Sequence, residues 1–264
     1  MHRGAGSCVL LMLFPTMTAV PPPLPPPDAT PKPSRRTLWI VLGCSAAVFV
    51  FSLPILLAIL IPTVGKVRET AQRTVAASNL RQIAQASLLV AVTNDEKLPS
   101  SGSIQDVAVA LAKDGGLNEA AMWFTATDQG RRGPAPYPDG AGVILGSDHA
   151  TIDPVFAAQQ VFAWDYVTGL TIGLPANTPM AWTRGLRADG TWDPNAGVYG
   201  GAGGIIAFLG GNVGFFPDLK ATPLARSDGS PTSNILETLP ATARGVGSGP
   251  GTLHGATGRG HGGH

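Results

Sequence analysis

Cysteine, aromatic side chains and charge are all scarce in this 264-residue chain. Only Cys8 and Cys44 occur, and Cys44 lies in an apolar run, so no disulfide is expected within a folded domain. Charged residues make up 13% of the sequence and the formal net charge is +1. Because nucleic-acid binding needs a surplus of basic residues, nucleic acid is not an expected partner.

Glycine and proline are instead abundant, at 34 and 24 residues. A chain of this length and composition has room for one modest globular domain and its flanks. Residues 21–36 are rich in proline, which favours an extended polyproline II arm, and the short apolar patch at 8–14 imitates a secretion signal.

A single long uncharged stretch follows the arm, from Leu38 to Val64. About 20 apolar helical residues are enough to cross a bilayer, so we expect a transmembrane helix over residues 37–64 with lipid as its partner. Pro54 and Pro62 predict kinks, because proline removes a backbone donor. A soluble core helix is the alternative.

Helical spacing continues beyond Pro62 without a loop. The predicted apolar stripe contains Val64, Val67, Ala71, Val75, Ala76, Leu80, Ile83, Ser87 and Val90. Most of these side chains are small, so the larger Leu80, Ile83 and Val90 are expected to hold the helix to the following domain. Arg73 and Arg81 are expected to lie off the stripe.

Short apolar runs between glycines indicate strands in the second half of the chain. Residues 205–209 and 213–216 flank Gly210-Gly211-Asn212, which predicts a hairpin. Ser103 is a predicted helix N-cap, and Gly115-Gly116 a predicted helix end.

Residues 59–86, ILIPTVGKVRETAQRTVAASNLRQIAQA, resemble the N-terminal helix of type IV pilin-like proteins and type II secretion pseudopilins. The shared features are Pro62, the segment from Lys66 to Arg73, and Asn79-Leu80-Arg81-Gln82-Ile83. Residues 181–186, 189–192, 197–200 and 203–213 resemble the closing segment of the same family, in which a strand, an Asp-Gly type turn and a second strand form a sheet edge. Here Gly210-Gly211 replaces the usual acidic turn.

The resemblance implies a pilin-like α+β fold, in which a long transmembrane helix continues into an amphipathic helix packed on a small antiparallel sheet. The implied organisation is an arm at 1–36, a membrane helix at 37–64, an extracytoplasmic domain at 65–240 and a disordered Gly/His-rich tail at 241–264. The implied location is the inner membrane, with the proline arm in the cytoplasm.

The implied function is non-enzymatic: a structural component or accessory of a type II secretion or type IV pilus-type system. Its partners would be other pilin-like subunits or secretion-platform proteins. The alternative is a membrane-anchored extracytoplasmic binding module that keeps the pilin-like fold without assembling into filaments.

Few residues are candidates for a metal site or for catalysis. Major pseudopilins hold calcium near their final strands, and Asp189, Asp193 and Asp218 are the corresponding candidates, although their spacing matches no fixed motif. No other cofactor is expected. Ser147-Asp148-His149 has the residue types of a catalytic triad, but adjacent residues cannot line up nucleophile, base and acid, so no enzyme is expected.

The usual leader-peptidase motif, Gly-Phe-Thr-Leu-x-Glu, is missing about twenty residues before Pro62, and its glutamate position falls on Ser45. We therefore expect the mature protein to retain residues before Val41. Intact-mass spectrometry of the purified protein tests this, and a methylated N-terminus between residues 40 and 45 would contradict it.

Overall fold

The computed structural model describes residues 34–247, apart from the side chains at 37–38, 46–47, 51 and 53–64 within the first helix. The α-helices are α1 (Arg35–Thr93), α2 (Ile104–Asp114) and the one-turn α3 (Pro154–Ala157), and 3-10 helices cover Ala120–Trp123 and Ile235–Thr238. The strands are β1 (Trp164–Thr168), β2 (Pro179–Thr183), β3 (Gly204–Phe208), β4 (Val213–Phe216), β5 (Leu224–Ala225), β6 (Pro231–Thr232) and β7 (Arg244–Val246).

Five strands form an antiparallel sheet in the order β4-β3-β2-β1-β7, and β5 pairs with β6 separately. The strands β1 and β2 are buried along their whole length, and this burial includes the polar residues Asp165, Thr168 and Thr183. The α+β class with a small antiparallel sheet is therefore confirmed.

The predicted hairpin joins β3 to β4. Gly211 has φ +82°, a left-handed conformation that glycine adopts without steric cost, and its amide donates to the Phe208 carbonyl at 2.9 Å. Asn212 closes the turn by accepting from the Phe208 amide at 2.9 Å. The Gly210-Gly211-Asn212 signal thus placed this turn correctly.

Both predicted ends of α2 are also confirmed. The Ser103 hydroxyl accepts a hydrogen bond from the Asp106 amide at 3.1 Å, which satisfies one of the free donors at the helix start. At the other end the amides of Gly115 and Leu117 both donate to the Leu111 carbonyl at 3.0 Å, while Gly116 adopts φ +70°.

The C-terminal half of α1 enters the hydrophobic core of the unit Leu60–His264. Leu80 and Ile83 have no exposed surface and Val90 is 5% exposed. The smaller members of the buried face are Ala76, Ala84, Ser87 and Ala91. The hydroxyl of buried Ser87 donates a hydrogen bond to the Ile83 carbonyl at 2.8 Å, so a polar side chain is tolerated on this face.

The first part of the predicted stripe is wrong. Val67 and Val75 are 67% and 60% exposed, and Ala76 is the first buried residue among the described side chains of α1. Val64, the first member of the predicted stripe, lies outside the described side chains. At about 100° per residue, Val75 and Ala76 point in different directions, so a stripe drawn through both crosses from one face of the helix to another.

Arg73 was expected to lie off the packed face, but its guanidinium stacks on aromatic rings. It lies 4.2 Å from the ring centre of Phe215 in β4 and 5.7 Å from that of Tyr199, and it pairs with Glu69 at 2.5 Å. A cation over an aromatic face is stabilised by the ring quadrupole. Arg73 thereby links α1 to β4.

Within residues 34–247, no helix combines the length and apolar character that a bilayer crossing needs. The predicted transmembrane helix over residues 37–64 is therefore wrong.

The flanking predictions are mostly outside the described residues. Of the arm predicted over 1–36, residues 1–33 lie outside them, and residues 35–36 belong to α1. Of the predicted tail at 241–264, β7 occupies 244–246 and pairs antiparallel with β1, whereas 248–264 lie outside. The pairing with β1 orders a segment whose composition alone favours disorder.

We expect Leu80→Ala and Ile83→Ala each to lower the free energy of unfolding by roughly 2–5 kcal/mol, because each truncation leaves a cavity in a fully buried site. Arg81→Ala, on the exposed side of the same turn, is the matched control and should shift the midpoint little. Urea unfolding of the full-length protein measures all three. Equal shifts of the urea midpoint in all three variants would show that the buried face of α1 has been assigned incorrectly.

Candidate functional site

A cavity of about 750 Å³ lies beside the C-terminal end of β2. Its lining comes from three segments, 130–132, 158–161 and 193–196, together with Arg184. Three of the lining side chains are arginines and one is an aspartate, so charge dominates its chemistry.

Arg184 directly follows β2 and is 1% exposed. Its amide donates to the Ala163 carbonyl at 2.8 Å, which continues the β1–β2 pairing by one residue. Its guanidinium donates to the carbonyls of Phe162 at 2.5 Å and Ala196 at 2.9 Å. One side chain is thereby bonded to the segment 193–196 and to Phe162, which directly follows the segment 158–161.

The third segment is held by an ion pair. The Arg184 Nη2 atom lies 2.5 Å from Asp128 Oδ1, and the two side chains are 2% and 4% exposed. Charges removed from water are tolerated when they are paired and their remaining donors are satisfied. The pair and the two carbonyls meet both conditions for Arg184.

Two glycines allow the backbone segments around Arg184 to approach each other closely. A side chain at Gly130 would meet the Ala196 carbonyl at 2.4 Å, and one at Gly185 would meet the Gly197 Cα at 2.4 Å. Gly185 also has φ +99°, which disfavours any other residue. The backbone around Arg184 can therefore close only with glycine at these positions.

Asp193 shapes the wall formed by 193–196. Its carboxylate accepts the amides of Asn195 at 2.7 Å and Ala196 at 2.9 Å, and it pairs with Arg187 at 2.8 Å. These backbone hydrogen bonds, followed by the one from Arg187, lower the pKa of Asp193 to about 2. Asp193 is thus ionised at neutral pH and its charge is already matched by Arg187.

Arg131 and Arg132 give the cavity its remaining charge. Arg131 donates to the Val161 carbonyl at 2.9 Å and to Gln159 Oε1 at 2.7 Å, and lies 5.1 Å from the ring centre of Phe124. Desolvation lowers the pKa of Arg131, although Asp128 opposes that effect. Within residues 34–247 no carboxylate forms an ion pair with Arg131 or Arg132.

The calcium candidates are not gathered into a site. Asp189 accepts from Thr191 and from Lys220 Nζ at 3.1 Å, Asp193 belongs to the wall just described, and Asp218 accepts the Lys220 amide at 2.7 Å. Across the described part of the chain, no three His, Cys, Asp or Glu side chains are grouped to hold a metal ion.

A turn also forms at Asp189-Gly190, within the closing segment. Gly190 has φ +84°, its amide donates to the Arg187 carbonyl at 3.0 Å, and Leu186 bridges to Trp192. The turn extends from the end of β2, a central strand, whereas the sheet edges are β4 and β7. Its position at the end of β2 brings Asp193 next to Arg184.

Sequence reasoning missed Asp128, Arg131 and Arg132, because residues 128–154 have the composition of a surface connection. The available signal was an acidic residue three positions before a pair of arginines within a glycine-rich turn. Arg184 was quoted in a family-like motif, but an arginine following a Trp-containing strand is not by itself a sign of burial.

No family model, curated protein or solved structure matches this chain. The resemblance to pilin-like proteins therefore stays a prediction that depends on the residues quoted for it.

We expect Asp128→Asn to lower the free energy of unfolding by about 3–5 kcal/mol, because it leaves the buried Arg184 charge uncompensated. The control is Lys220→Ala at the pair with Asp189, whose side chains are both more than half exposed and which should contribute nothing measurable. Chemical denaturation followed by tryptophan fluorescence reports both. Similar effects from the two variants would contradict a structural role for the buried pair.

Proposed function

We propose that this protein is a non-enzymatic structural subunit with a pilin-like domain, which associates with further copies of itself through the exposed face of α1. The proposal rests on the resemblance of residues 59–86 to pilin-like helices and on the two different faces of α1. A role in a type II secretion or type IV pilus-type system is the finer form of the same proposal.

The exposed face of α1 carries the argument. Val67, Val75, Leu89 and Val92 are between 55% and 72% exposed. At about 100° per residue these four positions fall within an arc of about 100°, roughly opposite the buried positions of the same helix. Large apolar groups aligned on one face are typical of an interaction surface.

A second candidate is a binding module that keeps the fold without self-association. The observation that favours it is the cavity beside Arg184, whose volume of about 750 Å³ lies in the range of small-molecule sites. The two candidates differ in what they require of α1, because only a structural subunit needs its exposed face.

We expect the wild-type protein to associate in a concentration-dependent way, and Val75→Glu and Leu89→Glu to weaken that association by at least tenfold, because each places a charge in an apolar contact. Val155→Glu is the matched control, since Val155 is 50% exposed but lies in α3. Sedimentation velocity over a concentration series measures the effect.

A wild-type protein that stays monomeric throughout the series would contradict the structural-subunit proposal and leave the binding module as the better candidate. Equal weakening by Val75→Glu and Val155→Glu would show that association does not use α1.

A further inference from the structure

We propose that the cavity beside Arg184 binds a small carboxylated ligand. This inference deepens the second candidate function, the binding module, and does not depend on self-association through α1.

Charge balance in the cavity leaves a positive surplus. Arg184 is neutralised by Asp128 at 2.5 Å, and Asp193 is neutralised by Arg187 at 2.8 Å. Arg131 and Arg132 are left, because no carboxylate among the described residues pairs with either. An anionic group in the cavity would compensate this charge.

Arg132 is the side chain best placed to bind that group directly. It is exposed and lines the cavity, and its planar guanidinium offers paired donors that match a carboxylate. Arg131 already donates to Val161 and Gln159, so its contribution is mainly its charge and the fixed position of the wall.

A carboxylate fits better than a phosphate. Asp193 lines the cavity whereas its partner Arg187 does not, so at short range the Asp193 carboxylate repels a doubly charged phosphate more than a singly charged carboxylate. The amide side chains of Gln159, Gln160 and Asn195 also line the cavity, and they can hydrogen-bond hydroxyl groups on the remainder of the ligand.

Isothermal titration calorimetry of the full-length protein with glucuronate and gluconate, which each carry one negative charge, tests the inference, with glucose and inorganic phosphate as comparisons. We expect one or both carboxylated probes to bind, glucose not to bind, and phosphate to bind more weakly. Amide NMR shifts on titration should be largest for the segments at 130–132 and 193–196, which line the cavity.

Two variants locate the binding. Arg132→Gln removes the free guanidinium and Asn195→Asp adds a carboxylate to the lining without changing its size, and each should weaken binding by about tenfold. The matched controls Arg81→Gln and Asn177→Asp, both exposed and outside this cavity, should bind like wild type. Thermal unfolding confirms that all four variants remain folded.

Failure of both carboxylated probes to bind would overturn the inference, as would unchanged binding in Arg132→Gln and Asn195→Asp. Tighter binding of phosphate than of either carboxylate would overturn the assignment of the ligand. The variant Val75→Glu should bind the probes like wild type, so that a failed assembly proposal and a failed binding proposal give different results.

Discussion

The buried ion pair between Arg184 and Asp128 is the interaction on which the arrangement of the second half of the chain depends. Both side chains are almost completely buried, so breaking the pair would leave a charge in surroundings that cannot solvate it. The same guanidinium also holds the carbonyls of Phe162 and Ala196. Loops that are distant in sequence are therefore all bonded to the Arg184 side chain, and the cavity lies between them.

The neutralisation of Arg184 also decides what the cavity can attract. A pair that is internally satisfied adds little field at long range, and the same holds for Asp193 with Arg187. Among the described residues that line the cavity, the cations without an ion pair are Arg131 and Arg132. Arginines with and without a carboxylate partner lie side by side here, and their positions in the sequence do not distinguish them.

The other organising contact is the buried face of α1 in the hydrophobic core. Ala86 on this face lies close to Gly115 at the end of α2, and Leu80 and Ile83 are its largest fully buried side chains. Arg73 adds a contact of a different kind, because its guanidinium covers the rings of Phe215 and Tyr199. The buried face of α1 thus packs within the domain, and its exposed valines form the surface that the proposed self-association would use.

Local chemistry in the sequence determined the hairpin at Gly210-Gly211-Asn212, both ends of α2 and the burial of Leu80, Ile83 and Val90, because turns, caps and helical spacing depend on neighbouring residues. The α+β class was implied by the resemblance to pilin-like proteins. The tertiary structure alone decided that Val67 and Val75 stay exposed, that residues 244–246 join the sheet, and that Asp128 meets Arg184 across 56 positions. Burial of a charge and pairing of an edge strand depend on groups that are distant in the chain, and no local pattern records which distant groups will meet.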